Sequence, residues 1–245
     1  MIAAIIPARF GSTRFPGKPL ADICGKPMIQ WVYERVSGSP SVDLVFVATD
    51  NNEICSAVRE FGGKAMMTSS RHACGSDRIA ECAKLLRLSN KDIVLNIQGD
   101  EPLISPEMVE ELVSCFRYPG VVMGTLAKRI FDSRELDDPN VVKVVIDKND
   151  NALMFSRSPI PFNRDGRGDV IYYKHVGAYG YRKGFLDQYS GMERGYLEQV
   201  ESLEQLRVLE NGHSIRVAQT SYEAIGVDTP EDLERVRAIV KEMNL

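Results

Sequence analysis

In the first part of the chain, short apolar runs alternate with longer stretches of helical spacing. The runs at residues 2–7, 44–49 and 93–98 are short and almost wholly apolar, as in buried strands. Apolar residues recur at helical intervals in the stretches that follow: 28–36, 51–61, 77–88 and a segment that begins at Pro106. This alternation predicts an α/β fold with a mainly parallel central sheet covered by helices on both faces.

The pattern changes after about residue 120, where strand-like runs follow one another with little helix between them. These runs are residues 121–127, 141–146, 152–155 and 175–182. Segment 159–168 contains two prolines and two glycines and is predicted to be a loop or hairpin tip. Helices are predicted at 202–210 and 230–243, the second opened by a capping residue and a proline. The second half is therefore expected to be more antiparallel.

Composition and charge restrict the class of protein. A chain of 245 residues with 44% hydrophobic residues can bury a sizeable core. Its formal net charge of −4 argues against general affinity for nucleic acid, so an anionic substrate requires a local cluster of cations. The apolar start, residues 1–7, is too short for a signal peptide or a membrane span. Five cysteines without a Cys-x-x-Cys pair favour reduced thiols, and we expect a soluble cytoplasmic protein.

A basic, glycine-bearing loop follows the first predicted strand. It carries Arg9, Arg14 and Lys18, but five residues separate Gly11 from Gly17 and a proline follows the lysine, so it is not a P-loop. At the carboxyl edge of a parallel sheet, backbone amides and fixed cations can hold phosphate oxygens. The alternative is a solvated basic turn.

Two acidic motifs, residues 98–102 and 226–230, each follow a strand-like run. Asp100 and Asp228 would emerge at the sheet edge, where one or two carboxylates together with substrate phosphates can bind magnesium. Taken singly, Asp100 could be a turn residue and Asp228 a helix cap, and Glu101 is an alternative ligand. Together with the basic loop they predict nucleotidyl transfer. We therefore divide the chain into a nucleotide-binding α/β half, 1–128, and a substrate and assembly half, 129–245.

Several other polar segments could contact substrates. Residues 72–78 precede a helix and offer hydroxyl, amide and guanidinium donors, although Ser76 and Asp77 could simply cap that helix. In the second half, Arg157 could bind a carboxylate in bidentate fashion. The remaining polar groups of the second half could instead have structural roles. Glu204, for example, could pair with Arg207 on a helix surface.

Taken together, the motifs resemble those of the CMP-Kdo synthetases, the 3-deoxy-manno-octulosonate (Kdo) cytidylyltransferases. The resemblance covers almost the whole chain and rests on these segments: 6–9, 12–14, 16–20, 25–29, 48–50, 98–102, 179–182, 203–207 and 226–230. It implies a Rossmann-like nucleotide-diphospho-sugar transferase fold. An antiparallel segment would contribute to sugar binding and homodimerisation, and the closing strand and helix would return to the main sheet. The implied reaction is CTP plus Kdo giving CMP-Kdo and pyrophosphate, for lipopolysaccharide or capsule synthesis.

The resemblance also assigns roles to individual residues. The implied catalytic residues are Arg9, Lys18, Asp100 and Asp228, of which Asp100 and Asp228 would bind Mg²⁺; a second Mg²⁺ would be bound mainly by phosphate oxygens. The implied nucleotide contacts are Ala8, Arg9, Gly11, Ser12, Lys18, Ser76, Arg78, Gln98 and Asp100. The implied sugar contacts are Arg14, Arg157, His175, Tyr179, Glu204 and Gln205.

The chain departs from the family pattern at one position and leaves the substrate open. Cys74 stands where a serine is common, which weakens a hydroxyl contact in the 74–78 loop. A rival substrate is 8-amino-Kdo, or less readily a sialic acid. A non-catalytic nucleotide sensor on the same fold is the alternative from a different class.

Overall fold

The computed structural model describes residues 1–11, 15–72 and 74–243, and nine strands within this part of the chain form one sheet. The strands are β1 (Ile2–Ala8), β4 (Leu44–Thr49), β5 (Ala65–Met67), β6 (Ile93–Asn96), β7 (Met123–Arg129), β8 (Lys143–Ile146), β9 (Ala152–Ser156), β10 (Tyr173–Arg182) and β11 (Arg216–Thr220). A separate hairpin consists of β2 (Asp22–Ile23) and β3 (Lys26–Pro27).

The order of the main strands is β11-β7-β10-β6-β1-β4-β5. β1 pairs in parallel with β4 and β6, β4 with β5, and β11 with β7, whereas β10 is antiparallel to both of its neighbours, β6 and β7. The hairpin of β8 and β9 adds further antiparallel pairing at the start of β10. The predicted fold class, a mainly parallel sheet with an antiparallel segment, is confirmed.

Helices cover the sheet. They are α1 (Met28–Ser37), α2 (Asn52–Glu60), α3 (Gly75–Leu85), α4 (Pro106–Ser114), α5 (Ser133–Asp137), α6 (Lys183–Ser190), α7 (Tyr196–Glu201), α8 (Leu206–Glu210) and α9 (Pro230–Glu242). Short 3-10 turns occupy Lys18–Leu20 and Cys115–Arg117.

Strand β1 shows why both faces are covered. Ala3 and Ile5 point into one apolar core with α3 and α6, and Ala4 and Ile6 point into another with α1, α2 and α4. Because successive strand residues face opposite sides, a strand that is apolar throughout must be buried on both faces. A third apolar cluster packs α9 against α1 and the β2–β3 hairpin.

Most predicted elements lie within two or three residues of the observed ones, but the helix predicted over 202–210 is wrong in extent. Ser202 has φ 52° and ends α7, and the next α-helix begins only at Leu206. Helices α6 and α7 were not predicted. The left-handed Ser202 ends α7, so only the later part of the predicted segment, Leu206–Glu210, is an α-helix.

The predicted boundary at residue 128 does not divide the sheet into two parts, since β10 from the second half lies between β6 and β7. The division into a nucleotide half and a substrate half therefore stays a prediction about binding. All five cysteines are free thiols in this structure. Within the described residues, we find no helix with the length and apolar character needed to cross a membrane.

Candidate active site

A cavity of about 400 Å³ opens where β1 and β6 end and the loop before α9 returns. Its lining residues are Pro7, Ala8, Arg9, Lys18, Pro19, His72, Cys74, Gly75, Arg78, Gln98, Gly99, Asp100 and Asp228. Both acidic motifs and the basic loop therefore meet at one edge of the sheet. Open α/β folds bind their ligands at this edge.

Lys18 lies between the two carboxylates. Its Nζ is 2.6 Å from Asp100 Oδ2 and 3.3 Å from Asp228 Oδ1, and it also donates to the Val227 carbonyl at 2.8 Å. Two carboxylates that reach the same nitrogen are close enough to reach one cation. The chain thus brings together acidic groups that are 128 residues apart in the sequence.

Backbone geometry fixes these groups. The Val227 amide donates to the Asp100 carbonyl at 2.9 Å, which joins the loop after β6 to the loop before α9. Gly99 is required because a Cβ there would lie 2.9 Å from the Pro7 carbonyl oxygen. Gly17, at φ 71°, adopts the left-handed conformation that opens the turn carrying Lys18. The carboxylates are therefore positioned by main-chain contacts as well as by charge.

Helix α9 begins at Pro230, two residues after Asp228. The Thr229 hydroxyl accepts from the Asp232 amide, and the Asp232 carboxylate accepts from the Thr229 amide, which forms a capping box. The amide of Asp228 also donates to Asp232 at 3.0 Å. The cap consequently belongs to Thr229 and Asp232, and the Asp228 carboxylate faces Lys18 instead.

Arg78 lines the cavity but is almost fully buried. It donates from Nη2 to Asp50 at 2.8 Å and from Nη1 to the Thr68 hydroxyl at 2.7 Å. These bonds brace the start of α3 against the ends of β4 and β5. Nearby, burial raises the pKa of Cys74 to about 11, so this thiol is protonated at neutral pH.

The acidic residue after Asp100 faces elsewhere. Glu101 lines a second cavity of about 450 Å³ together with Lys128, Lys174, His175 and Glu223, among others. Burial raises the pKa of Glu101 to about 8. Asp100, and not its fallback Glu101, is the carboxylate beside Lys18 and Asp228.

His175 packs between two aromatic rings at the border of this second cavity. Its ring centroid is 5.0 Å from that of Phe155 and 5.3 Å from that of Tyr179. Its Nε2 lies 3.0 Å from the Thr125 hydroxyl, which itself donates to the Ala178 carbonyl at 2.9 Å. We assign the Nε2-protonated tautomer because the threonine proton is already used.

Glu204 does not pair with Arg207, so the alternative of a surface ion pair is wrong. Arg207 instead binds Glu198 through two bonds of 2.7 and 2.6 Å, with both side chains buried. Glu204 accepts from the Ser76 hydroxyl at 2.9 Å. The adjacent Gln205 is buried, and no hydrogen-bond partner reaches its Nε2 in the described structure.

Arg157 holds the end of α7. Its guanidinium donates to the carbonyls of Glu201 at 2.8 Å, Pro139 at 2.8 Å and Ser202 at 3.4 Å. Three of its five N–H groups are thereby committed to the backbone. Its predicted contact with a sugar carboxylate stays a prediction.

The structure separates the predicted residues into groups. Six predicted nucleotide contacts line the first cavity: Ala8, Arg9, Lys18, Arg78, Gln98 and Asp100. Gly11 and Ser76 are not among the lining residues, and Ser12 and Arg14 lie outside the described residues. Of the predicted sugar contacts, Tyr179 and Gln205 are buried, whereas Arg157, His175 and Glu204 are partly exposed. None of these five lines the first cavity.

No individual role in the site was predicted for three groups that the structure places there. They are the Val227 carbonyl, which accepts from Lys18, and the residues Pro19 and His72, which line the cavity. A backbone carbonyl carries no side-chain signal. His72 lies in a segment that was already singled out, where its partner is Glu81.

Comparison with known proteins gives the family. Residues 3–215 match the family model described as "Cytidylyltransferase". The chain is 53% identical over 240 residues to a 3-deoxy-manno-octulosonate cytidylyltransferase of Syntrophus aciditrophicus, with 98% of this chain and 97% of the relative covered. It is 52% identical over 236 residues to an 8-amino-3,8-dideoxy-manno-octulosonate cytidylyltransferase of Shewanella frigidimarina, with 96% of each covered.

Comparison with solved structures indicates the same family. CMP:2-keto-3-deoxy-manno-octonic acid synthetase complexed with CTP superposes with a TM-score of 0.94 at 45% identity and 99% coverage of both chains. The chain therefore belongs to the cytidylyltransferase family, among the CMP-Kdo synthetases.

Proposed function

We propose that this protein transfers CMP from CTP to the anomeric hydroxyl of Kdo, giving CMP-Kdo and pyrophosphate. The observation that carries the proposal is the convergence of Asp100, Asp228 and Lys18 on one cavity wall, in a chain of this family. The product would activate Kdo for lipopolysaccharide or capsule synthesis.

Asp100 and Asp228 fit a magnesium ion, since both already approach a single nitrogen cation. Among the described residues, no group of three or more His, Cys, Asp or Glu side chains could hold a metal. The protein would thus supply two carboxylates, and substrate phosphates would complete the shell, as is common for Mg²⁺. When bound, Mg²⁺ would offset phosphate charge and lower the pKa of the attacking hydroxyl.

The chain's own residues would bind and orient the substrates. Arg9 and Lys18 line the cavity and would neutralise charge on the triphosphate, most strongly on the departing pyrophosphate. The sugar hydroxyl would attack the α-phosphate in line with this leaving group. Positioning and electrostatics supply most of the catalysis in such reactions, so no covalent intermediate or dedicated side-chain base is required.

Pyrophosphate release from CTP and Kdo, with and without Mg²⁺, tests the proposal. Asp100→Asn and Asp228→Asn should each lower turnover by several orders of magnitude while the fold persists, because each removes a charged ligand. Asp169→Asn, in an exposed loop, is the matched control and should turn over like the wild type. Activity within about tenfold of wild type in both site variants would contradict the two-carboxylate model.

A second candidate substrate is 8-amino-Kdo. The relative named for 8-amino-Kdo is nearly as similar to this chain as the Kdo cytidylyltransferases are. The two substrates differ at one position, where an amine replaces a hydroxyl group. Turnover of CTP with Kdo, 8-amino-Kdo and sialic acid distinguishes the candidates. If Kdo were the poorest of the three, the assignment to Kdo would be wrong. Absence of pyrophosphate release with every acid would favour a nucleotide sensor.

We further propose a homodimer in the cytoplasm. Large apolar side chains are exposed in the second half: Phe131, Leu153, Phe162, Ile171, Tyr196 and Val200. In the proposed dimer these side chains would contribute to the interface. Light scattering after size exclusion should give twice the mass of one chain, 27.4 kDa.

A further inference from the structure

Ser76 joins α3 to Glu204, a contact that its predicted role as a nucleotide contact does not explain. Its side chain is 0% exposed, and it is absent from the wall of the first cavity. Its hydroxyl donates to Glu204 Oε1 at 2.9 Å. Ser76 is therefore placed to act on Glu204 rather than on a nucleotide in the cavity.

Glu204, by contrast, is partly exposed and can contact a ligand. Its backbone is fixed from behind, because the Tyr189 hydroxyl donates to the Glu204 carbonyl at 3.1 Å. The buried Arg207–Glu198 pair anchors α8, the short helix that begins two residues after Glu204, to α7. With its main chain held in this way, the remaining freedom of Glu204 is the rotation of its side chain. Ser76 restricts that rotation by engaging one carboxylate oxygen.

The helix that carries Ser76 also borders the nucleotide cavity. Cys74 and Gly75, at the start of α3, line that cavity, and Arg78 braces the helix against Asp50. The Ser76–Glu204 hydrogen bond is thus a direct link between the wall of the nucleotide cavity and the segment of the predicted sugar contacts.

We propose that Ser76 is a positioning residue for Glu204, which it orients toward the sugar acid, rather than a contact to the nucleotide. The link would make sugar binding depend on the placement of α3, the helix at the nucleotide cavity. This inference rests on the proposed function, since it takes Glu204 as a sugar contact.

The test compares wild type with Ser76→Ala and Ser76→Cys, where cysteine keeps the size but replaces the hydroxyl with a weak donor. We expect the KM for Kdo to rise about tenfold in Ser76→Ala, with kcat within about threefold, because the hydrogen bond to the Glu204 carboxyl group is lost. Isothermal titration with CTP alone should give a Kd within about twofold of wild type. Ser114→Ala, on α4, is the matched control and should leave all three constants unchanged.

A double-mutant cycle separates positioning from a merely structural role. If Ser76 acts through Glu204, the variant carrying both Ser76→Ala and Glu204→Gln should be no worse than Glu204→Gln alone, within about twofold. Additive losses would overturn the inference. So would a tenfold weaker CTP affinity in Ser76→Ala with an unchanged KM for Kdo.

The failure of the proposed function would look different. It would appear as absent pyrophosphate release in the wild type, before any variant is compared. Urea denaturation of each variant checks folding. If Ser76→Ala does not fold, the same comparison is made with Ser76→Cys. A KM for Kdo within twofold of wild type in the folded variant refutes the positioning role.

Discussion

The imidazole of His175, which packs between two aromatic rings, should make the stability of this protein depend on pH. Its ring is enclosed by Phe155 and Tyr179 and bonded to Thr125, and burial lowers its pKa to about 3. In the unfolded chain the pKa of histidine returns to about 6.5. Between these two values the unfolded state binds a proton that the folded state does not.

The sign and size follow from this difference. The contribution of His175 to stability is complete above pH 6.5 and is lost as the pH falls toward 3, by about 1.4 kcal/mol per pH unit well below pH 6.5. From pH 7 to pH 5, protonation of the unfolded chain at this residue should cost about 2 kcal/mol of the free energy of unfolding.

Urea denaturation followed by the fluorescence of Trp31, at pH 7, 6 and 5, measures how the free energy of unfolding changes with pH. His175→Gln should lose about 2 kcal/mol less than wild type between pH 7 and pH 5, whatever its stability at pH 7. Phe155→Leu is the control, because it weakens the same packing but retains the imidazole, and it should keep the slope of wild type. Parallel pH dependences for His175→Gln and wild type would refute the lowered pKa of this imidazole in the folded protein.

Two further variants test the contacts around the site. Lys18→Met removes the cation between Asp100 and Asp228, and we expect CTP binding at least about tenfold weaker and a lower melting temperature, since the link to Val227 is also lost. Calorimetric titration checks the first effect, and unchanged CTP affinity would count against a role for Lys18 with the triphosphate. Glu198→Gln leaves the Arg207 guanidinium buried without its counter-charge, and urea denaturation should show a loss of about 3–5 kcal/mol. A loss below about 1 kcal/mol would show that the pair is not essential for folding.

The position of the site at one edge of the sheet could be predicted from the sequence, because strand direction determines at which edge the following residues lie. Asp100 comes four residues after the end of β6, and Arg9 follows β1 directly, so parallel pairing of these strands brings the two residues to one edge. Asp228 required more than this rule, since it precedes a helix. The sequence around Asp228 predicted a helix cap, and in the structure Thr229 and Asp232 form the cap of α9.

The partners of charged residues could not be predicted in the same way. Arg207 lies three positions after Glu204, and local spacing favours that pair. The observed partner is Glu198, because α7 and α8 are packed side by side and both charges are buried between them. Ser202, in the left-handed conformation, makes this arrangement possible, and serine carries little signal for that conformation.

Main-chain bonds hold the two acidic loops of the site together. The Val227 amide bonds to the Asp100 carbonyl, and Gly99 lets this strand end approach Pro7 closely. Neither contact depends on the charge of a carboxylate. The repulsion between the two acids is offset by Lys18, whose ammonium group lies within hydrogen-bonding distance of both. Because main-chain bonds hold the two loops together, the proposed Mg²⁺ would bind between carboxylates whose backbones are already in place.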